Sequence, residues 1–242
     1  MKWLYPVFLC AISACQSAPE QANQAAPPPK SALVKMVNDT ESKPADTLPP
    51  PPVQKPVKTG YDTVQWAELV RLDSTIALDL KYATTDNFVH TAMYECGRCL
   101  LRREVAQAVV KAHHQLQKQG LGLKMFDCYR PRPIQWKLWE KVPDPRYVAD
   151  PRKGSMHNRG AAVDLTLVDA QGNELDMGTP FDFFGKQAYH SYKKLPEEVL
   201  ARRQLLKTTM ESLGFQPTKT EWWHYAYVLR NYPLSDDLWE CQ

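Results

Sequence analysis

Ten of the 20 prolines in this 242-residue chain fall between Pro19 and Pro56, in runs that include residues 27–29 and 49–52. Proline fixes φ and lacks a backbone N–H, so no regular helix or sheet is expected where it is this dense. Residues 16–60 also contain no Trp, Tyr, Phe or Cys, so the stretch has too little apolar area to offset the entropy of ordering it. The expectation is a disordered, proline-rich tether over 15–60, biased to extended polyproline II. One folded unit of about 180 residues follows over 61–242.

The N-terminus reads as an export signal over 1–14: Met1-Lys2, an apolar run over 3–12, then Ile12-Ser13-Ala14-Cys15. That run is short for a membrane span. The tetrapeptide resembles a bacterial lipobox, which implies lipidation at Cys15, and Gln16 in the next position resembles lipoproteins passed to the outer membrane. The expected location is the periplasm, with the membrane touched only through the lipid anchor. An ordinary signal peptide cut near Ala14 is the alternative.

An oxidising compartment changes the reading of the four remaining cysteines, Cys96, Cys99, Cys128 and Cys241. Their even number suits two disulfides, with three possible connectivities. Free buried thiols are a second reading, and a redox or zinc role for the Cys96-x-x-Cys99 pair a third.

Within the folded unit, Ile76, Leu78 and Leu80 alternate with polar residues and predict a strand. Val105, Ala108, Val109, Ala112 and Leu116 recur at three- and four-residue steps from Arg102 until Gly120, which predicts an amphipathic helix. His113 and His114 near its end read as surface or cap residues. A strand over 121–126 and a helix opened by Pro133 follow, the latter carrying Trp136 and Trp139 as expected core. Residues 161–168 read as a strand returning through a turn at 169–173. A helix over 196–214 with Val199, Leu206, Met210 and Leu213 inward, and an aromatic strand over 222–229, complete the pattern. Strands and helices without a βαβ rhythm give an α+β domain, expected to have a central, mainly antiparallel sheet with packed helices. A net charge of +3 from 30 basic and 27 acidic residues offers no basic stripe, which argues against nucleic-acid binding.

A catalytic zinc needs three nitrogen or oxygen ligands and one open position. Two segments offer them. In Ser155-Met156-His157-Asn158-Arg159-Gly160-Ala161-Ala162-Val163-Asp164, small residues let a loop His and a strand Asp converge on one ion. In Glu221-Trp222-Trp223-His224, Glu and His three residues apart lie on opposite faces of an ideal strand, so a turn or bulge is expected there. Alone, Asp164 also reads as a strand-edge carboxylate paired with Arg159, and His224 as an incidental residue of a Trp-rich core strand. Together the segments supply His157, Asp164 and His224 as ligands and leave Glu221 as the base.

The pattern S-x-H-x-x-G-x-A-x-D with a downstream E-x-W-H resembles the zinc D-Ala-D-Ala metallopeptidases, a group that includes D,D-carboxypeptidases and phage endolysins. Asp79-Leu80-Lys81-Tyr82, Asp127-Cys128-Tyr129-Arg130-Pro131, Met177-Gly178-Thr179-Pro180-Phe181-Asp182 and Glu221 through Tyr225 are more closely similar to the D-alanyl-D-alanine dipeptidase family known from vancomycin resistance. That resemblance implies one zinc per chain on His157, Asp164 and His224, and Glu221 as catalytic acid/base. It adds Arg130 as the group that stabilises the transition state, whereas by chemistry alone Arg130 reads as a loop cation paired with Asp127. It further implies Tyr82, Ser155 and Asp182 at the two charged ends of a small D,D-dipeptide, with Asp182 toward the ammonium. Glu221→Ala and Arg130→Ala are expected to remove most of kcat while the fold survives. Departures from the family pattern are His90 where relatives often carry Gly, the set of cysteines, and a short stretch between Arg130 and His157. A peptidoglycan D,D-carboxypeptidase or endopeptidase would use the same zinc set. A non-catalytic wall-binding lipoprotein would not need Glu221.

Overall fold

The computed structural model describes residues 60–241, residue 146 excepted. The export signal, Cys15 and the proline-rich tether therefore lie outside the described residues, apart from Gly60. No helix among the described residues is long and apolar enough to cross a membrane.

The elements run β1 (Trp66–Glu68), α1 (Leu69–Leu72), β2 (Ala77–Leu78), β3 (Leu100–Arg102), α2 (Arg103–Gln117), β4 (Gly122–Asp127), α3 (Arg132–Lys141), β5 (Ala162–Val168), α4 (Glu197–Glu211), β6 (Phe215–Pro217) and β7 (His224–Tyr227). Five strands form one sheet in the order β2-β4-β5-β7-β6, and every pairing except the parallel β2–β4 is antiparallel. β1 and β3 form a separate antiparallel pair. The fold is thus α+β, with the mainly antiparallel sheet that the sequence pattern predicts.

β5 is the middle of the sheet and is buried along its whole length, polar residues included. Val163, Leu165 and Leu167 join the core with Val105, Val109 and Leu116 of α2 and Leu206 and Met210 of α4. The alternate residues Asp164 and Thr166 are buried as well, so both faces of this strand are covered.

Several local expectations are corrected. His113 is 2% exposed rather than a surface residue: its Nδ1 accepts from Leu123 N at 3.0 Å and its Nε2 meets Thr75 Oγ1 at 3.0 Å. A Cβ on Gly122 would stand 3.1 Å from the His113 ring, so the glycine opposite eases the burial of an imidazole here. His114 is the solvent-facing one of the pair and meets Asp73 at 2.8 Å. Trp136 is 42% exposed, while Ile134 and Leu138 take the inward positions of α3. The final strand begins at His224, because Trp222 and Trp223 form a turn whose indoles fill the core.

Cys96 pairs with Cys241 and Cys99 with Cys128. The C-x-x-C segment therefore neither closes on itself nor holds a metal. The first disulfide ties down the C-terminal segment, where Trp239 Nε1 donates to Cys96 O at 3.2 Å and Tyr129 Oη to Asp237 O at 3.0 Å. Glu240 N reaches Gly60 O at 3.2 Å, so the described chain starts and ends at one corner. His90 has φ +51°, a left-handed backbone that a glycine adopts without strain.

Candidate active site

Sheet register assembles the centre of the site. Asp127 at the end of β4 pairs with Asp164 of β5, and Asp164 pairs with His224 at the start of β7. Three polar side chains on adjacent strands therefore share one level and one face of the sheet. A register shift between Met125 and Asp127 takes Phe126 out of the ladder and brings Asp127 opposite Asp164.

The fourth polar group comes from a loop. Residues 157–159 form a single 3-10 turn that ends on Gly160 at φ +65°. A Cβ on Gly160 would stand 2.2 Å from the Trp66 indole, so both the left-handed turn and the close approach require glycine. Asn158 straps this loop to the neighbouring one: its Nδ2 donates to Arg130 O at 2.7 Å, and Arg130 N donates to His157 O at 3.1 Å.

His157 Nε2, Asp164 and His224 Nδ1 converge. The separations are 3.2 Å between the two ring nitrogens, 3.3 Å from His157 Nε2 to Asp164 Oδ2, and 2.9 Å from His224 Nδ1 to Asp164 Oδ1. Bonds of about 2.0–2.1 Å to a tetrahedral zinc put neighbouring ligand atoms about 3.3–3.4 Å apart, so this donor set fits that ion closely. The second nitrogen of His157 is also prepared: Nδ1 lies 2.7 Å from Cys128 O, which accepts its proton and leaves Nε2 as a lone-pair donor. Asp127 Oδ2 stands 3.4 Å from the same nitrogen.

Burial would raise the Asp164 carboxyl, but His157 and His224 hold it well below the usual carboxylate range. Burial would lower His157, and the Asp164 and Asp127 carboxylates outweigh it and raise its pKa. Glu221 sits before the turn that leads into β7, with His224 N donating back to its carbonyl at 3.4 Å. Its carboxyl is raised above the ordinary value by burial, and next by the charge of Asp164, against the cationic pull of His224.

Arg130 is buried and does pair with Asp127, through Nε at 3.0 Å and Nη2 at 2.5 Å, while Nη1 donates to Gln135 Oε1 at 3.0 Å. Its guanidinium also lies 4.6 Å from the centre of the Tyr82 ring. Tyr82 in turn donates to Asp182 Oδ2 at 2.9 Å, so the two acid clusters meet through one phenol. Asp182 has φ +56°, an unusual backbone for a residue other than glycine, and such strain gathers at functional positions. Burial and then the charge of Asp164 push its carboxyl up to about 8. An aromatic wall of Phe88, Phe181 and Phe184 stands beside Tyr82, with rings 5.1–6.3 Å apart.

The structure thus brings together His157, Asp164 and His224, and sets Glu221, Arg130, Tyr82 and Asp182 in the same electrostatic neighbourhood. Ser155 is used locally: its Oγ donates to Asn158 Oδ1 at 3.0 Å and its N donates to the same oxygen at 2.7 Å. Asp127, Gln135, Asn158 and the Cys128 carbonyl were not singled out by spacing. Asp127 and Cys128 lie inside the Asp-Cys-Tyr-Arg-Pro segment, where the one sequence signal for them is proximity to Arg130.

Comparison with known proteins places the chain among relatives. Residues 62–238 match the family described as D-ala-D-ala dipeptidase, peptidase M15. A D-alanyl-D-alanine dipeptidase of Escherichia coli (strain K12) is 38% identical over 181 residues, covering 74% of this chain and 94% of its own. One of Enterococcus faecium is 33% identical over 178 residues, with 65% and 88% covered. Among solved structures, the vancomycin-resistance D,D-pentapeptidase VanY with Zn(II) overlaps 53% of this chain and 73% of its own, at 16% identity and a TM-score of 0.37. The LD-carboxypeptidase LdcB overlaps 53% and 59%, at 21% identity and a TM-score of 0.38.

Proposed function

Because the chain belongs to the D-Ala-D-Ala dipeptidase family, we propose that it hydrolyses free D-alanyl-D-alanine to two D-alanines, with one zinc ion on His157, Asp164 and His224. The observation that carries this reading is the convergence of those three donors within 4.8 Å of one another, beside the buried Glu221. A bound zinc ion supplies Lewis acidity and makes water a stronger acid.

The protein's own groups have distinct tasks. Glu221 takes the proton of the attacking water on its carboxylate and passes it to the leaving amine, and its raised pKa brings it nearer the working pH. Arg130, fixed by Asp127 and Gln135, offers a preorganised positive charge to the oxyanion that develops on the scissile carbonyl. Asp182, held by Tyr82, receives the substrate ammonium, and Ser155 is the third residue we assign to the charged ends of the dipeptide. A site that neutralises a free ammonium favours a dipeptide over a longer acyl donor.

We place the reaction in the periplasm, on a domain tethered through lipidated Cys15 to the outer membrane. The two disulfides support export to an oxidising compartment. There the enzyme would act on dipeptide released from the wall, in recycling or nutrient use, rather than on a cytoplasmic precursor. A Cys15→Ser chain released from the membrane fraction would support the anchor, and one still retained there would remove it.

The deciding assay offers D-Ala-D-Ala, L-Ala-L-Ala and a D-Ala-D-Ala-terminated pentapeptide, each with and without a zinc chelator. Cleavage of the free D,D-dipeptide alone, abolished by the chelator, is expected. Preference for the pentapeptide would make the protein a carboxypeptidase. Glu221→Ala should keep zinc and lose about 10²–10⁴ in kcat, and full activity in that variant loaded with metal would refute the mechanism.

A further inference from the structure

Four buried side-chain polar atoms among the described residues have no hydrogen-bond partner, and three of them belong to one cluster: Arg203 Nη2, Tyr225 Oη and His190 Nε2. Arg203, on α4, is 4% exposed. Its Nε donates to Met177 O at 2.6 Å and its Nη1 to Gln187 O at 2.9 Å, and the guanidinium lies 5.7 Å from the Trp222 ring. Both partners are neutral carbonyls; the Asp176 carboxylate acts on it through space, but no carboxylate among the described residues is in ion-pair contact with it. The His190 and Tyr225 rings meet edge to face at 6.3 Å, and the Arg203 guanidinium lies close enough to act on the Tyr225 phenol.

Leaving these groups unpaired is expensive. An orphaned buried donor costs about 1–3 kcal/mol, and a buried guanidinium that cannot deprotonate needs a counter-charge. Arg203 Nη2 is an obligate donor, while the phenol and one tautomer of the imidazole can donate too. The field there is positive: burial, then Lys207 and Arg203, hold His190 down to about 4, with Glu211 opposing them. A water molecule accepts such bonds too, but it leaves the charge of Arg203 with only the through-space influence of Asp176 and no counter-charge in contact.

We propose that Arg203 Nη2, Tyr225 Oη and His190 Nε2 bound an internal site, between α4 and β7, for a small monovalent anion of chloride size. The site does not depend on the proposed reaction. Tyr225 follows His224 on β7, where successive side chains point to opposite faces, so the site lies across the strand from that ligand. The anion therefore braces that segment from the side opposite the metal ligands.

The test is thermal unfolding of the full chain in sodium chloride or bromide against sodium gluconate at equal ionic strength. At a halide concentration about tenfold above Kd, Tm should rise by about 3 °C or more. Arg203→Met should abolish the shift, but it also removes the bonds to Met177 and Gln187 and can prevent folding. Tyr225→Phe is therefore the deciding variant, since it deletes one hydroxyl with no partner inside the protein, and it should weaken the halide response about tenfold. A bromide-soaked crystal should show an anomalous peak within hydrogen-bond distance of all three atoms. Equal Tm in halide and gluconate, an undiminished response in Tyr225→Phe, or an ordered water without anomalous signal would each overturn the site.

Discussion

Tyr82 donates its hydroxyl to Asp182 at 2.9 Å across 100 residues of sequence, and so holds a strained, buried carboxylate in place at the edge of the site. Burial, then the charge of Asp164, raises Asp182 to about 8, against 3.8 for an ordinary aspartate. Between those values the folded protein keeps a proton that the unfolded chain has released, so this group lowers stability as pH rises from about 4 to about 8. Asp182→Asn removes the titration, and asparagine tolerates a left-handed backbone. Metal-free Asp182→Asn should exceed the parent's stability at pH 8 by several kcal/mol, up to about 5, with the gap closing toward pH 4. The KM for the dipeptide should meanwhile rise at least about tenfold as the ammonium loses its counter-charge. Urea unfolding at pH 4, 6 and 8 with steady-state kinetics measures both, and equal stability at every pH would contradict the raised carboxyl.

Arg130 carries a structural burden that sequence spacing understates. Arg130→Ala leaves the Asp127 carboxylate buried and unpaired, so it should cost about 3 kcal/mol of stability besides about 10²–10³ in kcat. Arg130→Lys keeps the charge but cannot serve Asp127 and Gln135 together. It should recover much of the stability and little of the rate, which urea titration and single-turnover kinetics can separate.

The Cys99–Cys128 disulfide fixes the residue whose carbonyl orients His157. Replacing both cysteines with alanine should lower stability by about 2–4 kcal/mol and zinc affinity by about 10–100-fold. Removing Cys96–Cys241 instead should cost stability while leaving zinc affinity within about twofold, because that bridge ties the chain end and touches no ligand. Competition against a chelator of known affinity distinguishes the two, and equal zinc affinity in both variants would sink the assignment.

His113 makes the fold sensitive to mild acid. Burial lowers its pKa below 6.5, and the backbone of Leu123 occupies its Nδ1 as an acceptor. Below about pH 6.5 the unfolded chain gains a proton that the folded chain resists, so stability falls as pH drops. His113→Gln should flatten the decline in the urea midpoint between pH 7 and 5 relative to the parent. His190 works in the same direction, so part of the slope should persist.

Local pattern carried the long elements. The three- and four-residue steps from Val105 to Leu116 became α2, and the helix opened near Pro133 became α3 with that proline in its first turn. His157, Asp164 and His224 were also legible, because small residues around a loop His and an Asp in an apolar strand have few structural uses. What escaped depends on partners distant in sequence. Asp127 faces Asp164 only because Phe126 leaves the ladder. The cysteine pairing spans 145 and 29 residues, and no spacing rule selects it. β1, β3 and β6 have three residues each, too few for a period to register. Helical position alone puts His113 and Trp136 on the wrong side, because it does not show what packs opposite.

The contact between Gly60 and Glu240 makes the domain a nearly closed ring of chain. A few added residues could join these ends and move the break elsewhere, for instance into the exposed turn at 169–173. Tension applied through both ends would run through residues 60–96 and the Cys96–Cys241 bridge, leaving β4, β5 and β7 inside the loop that the bridge closes. Whatever pulls on the segment before Gly60 therefore meets a covalent clasp ahead of the strands that carry Asp164 and His224.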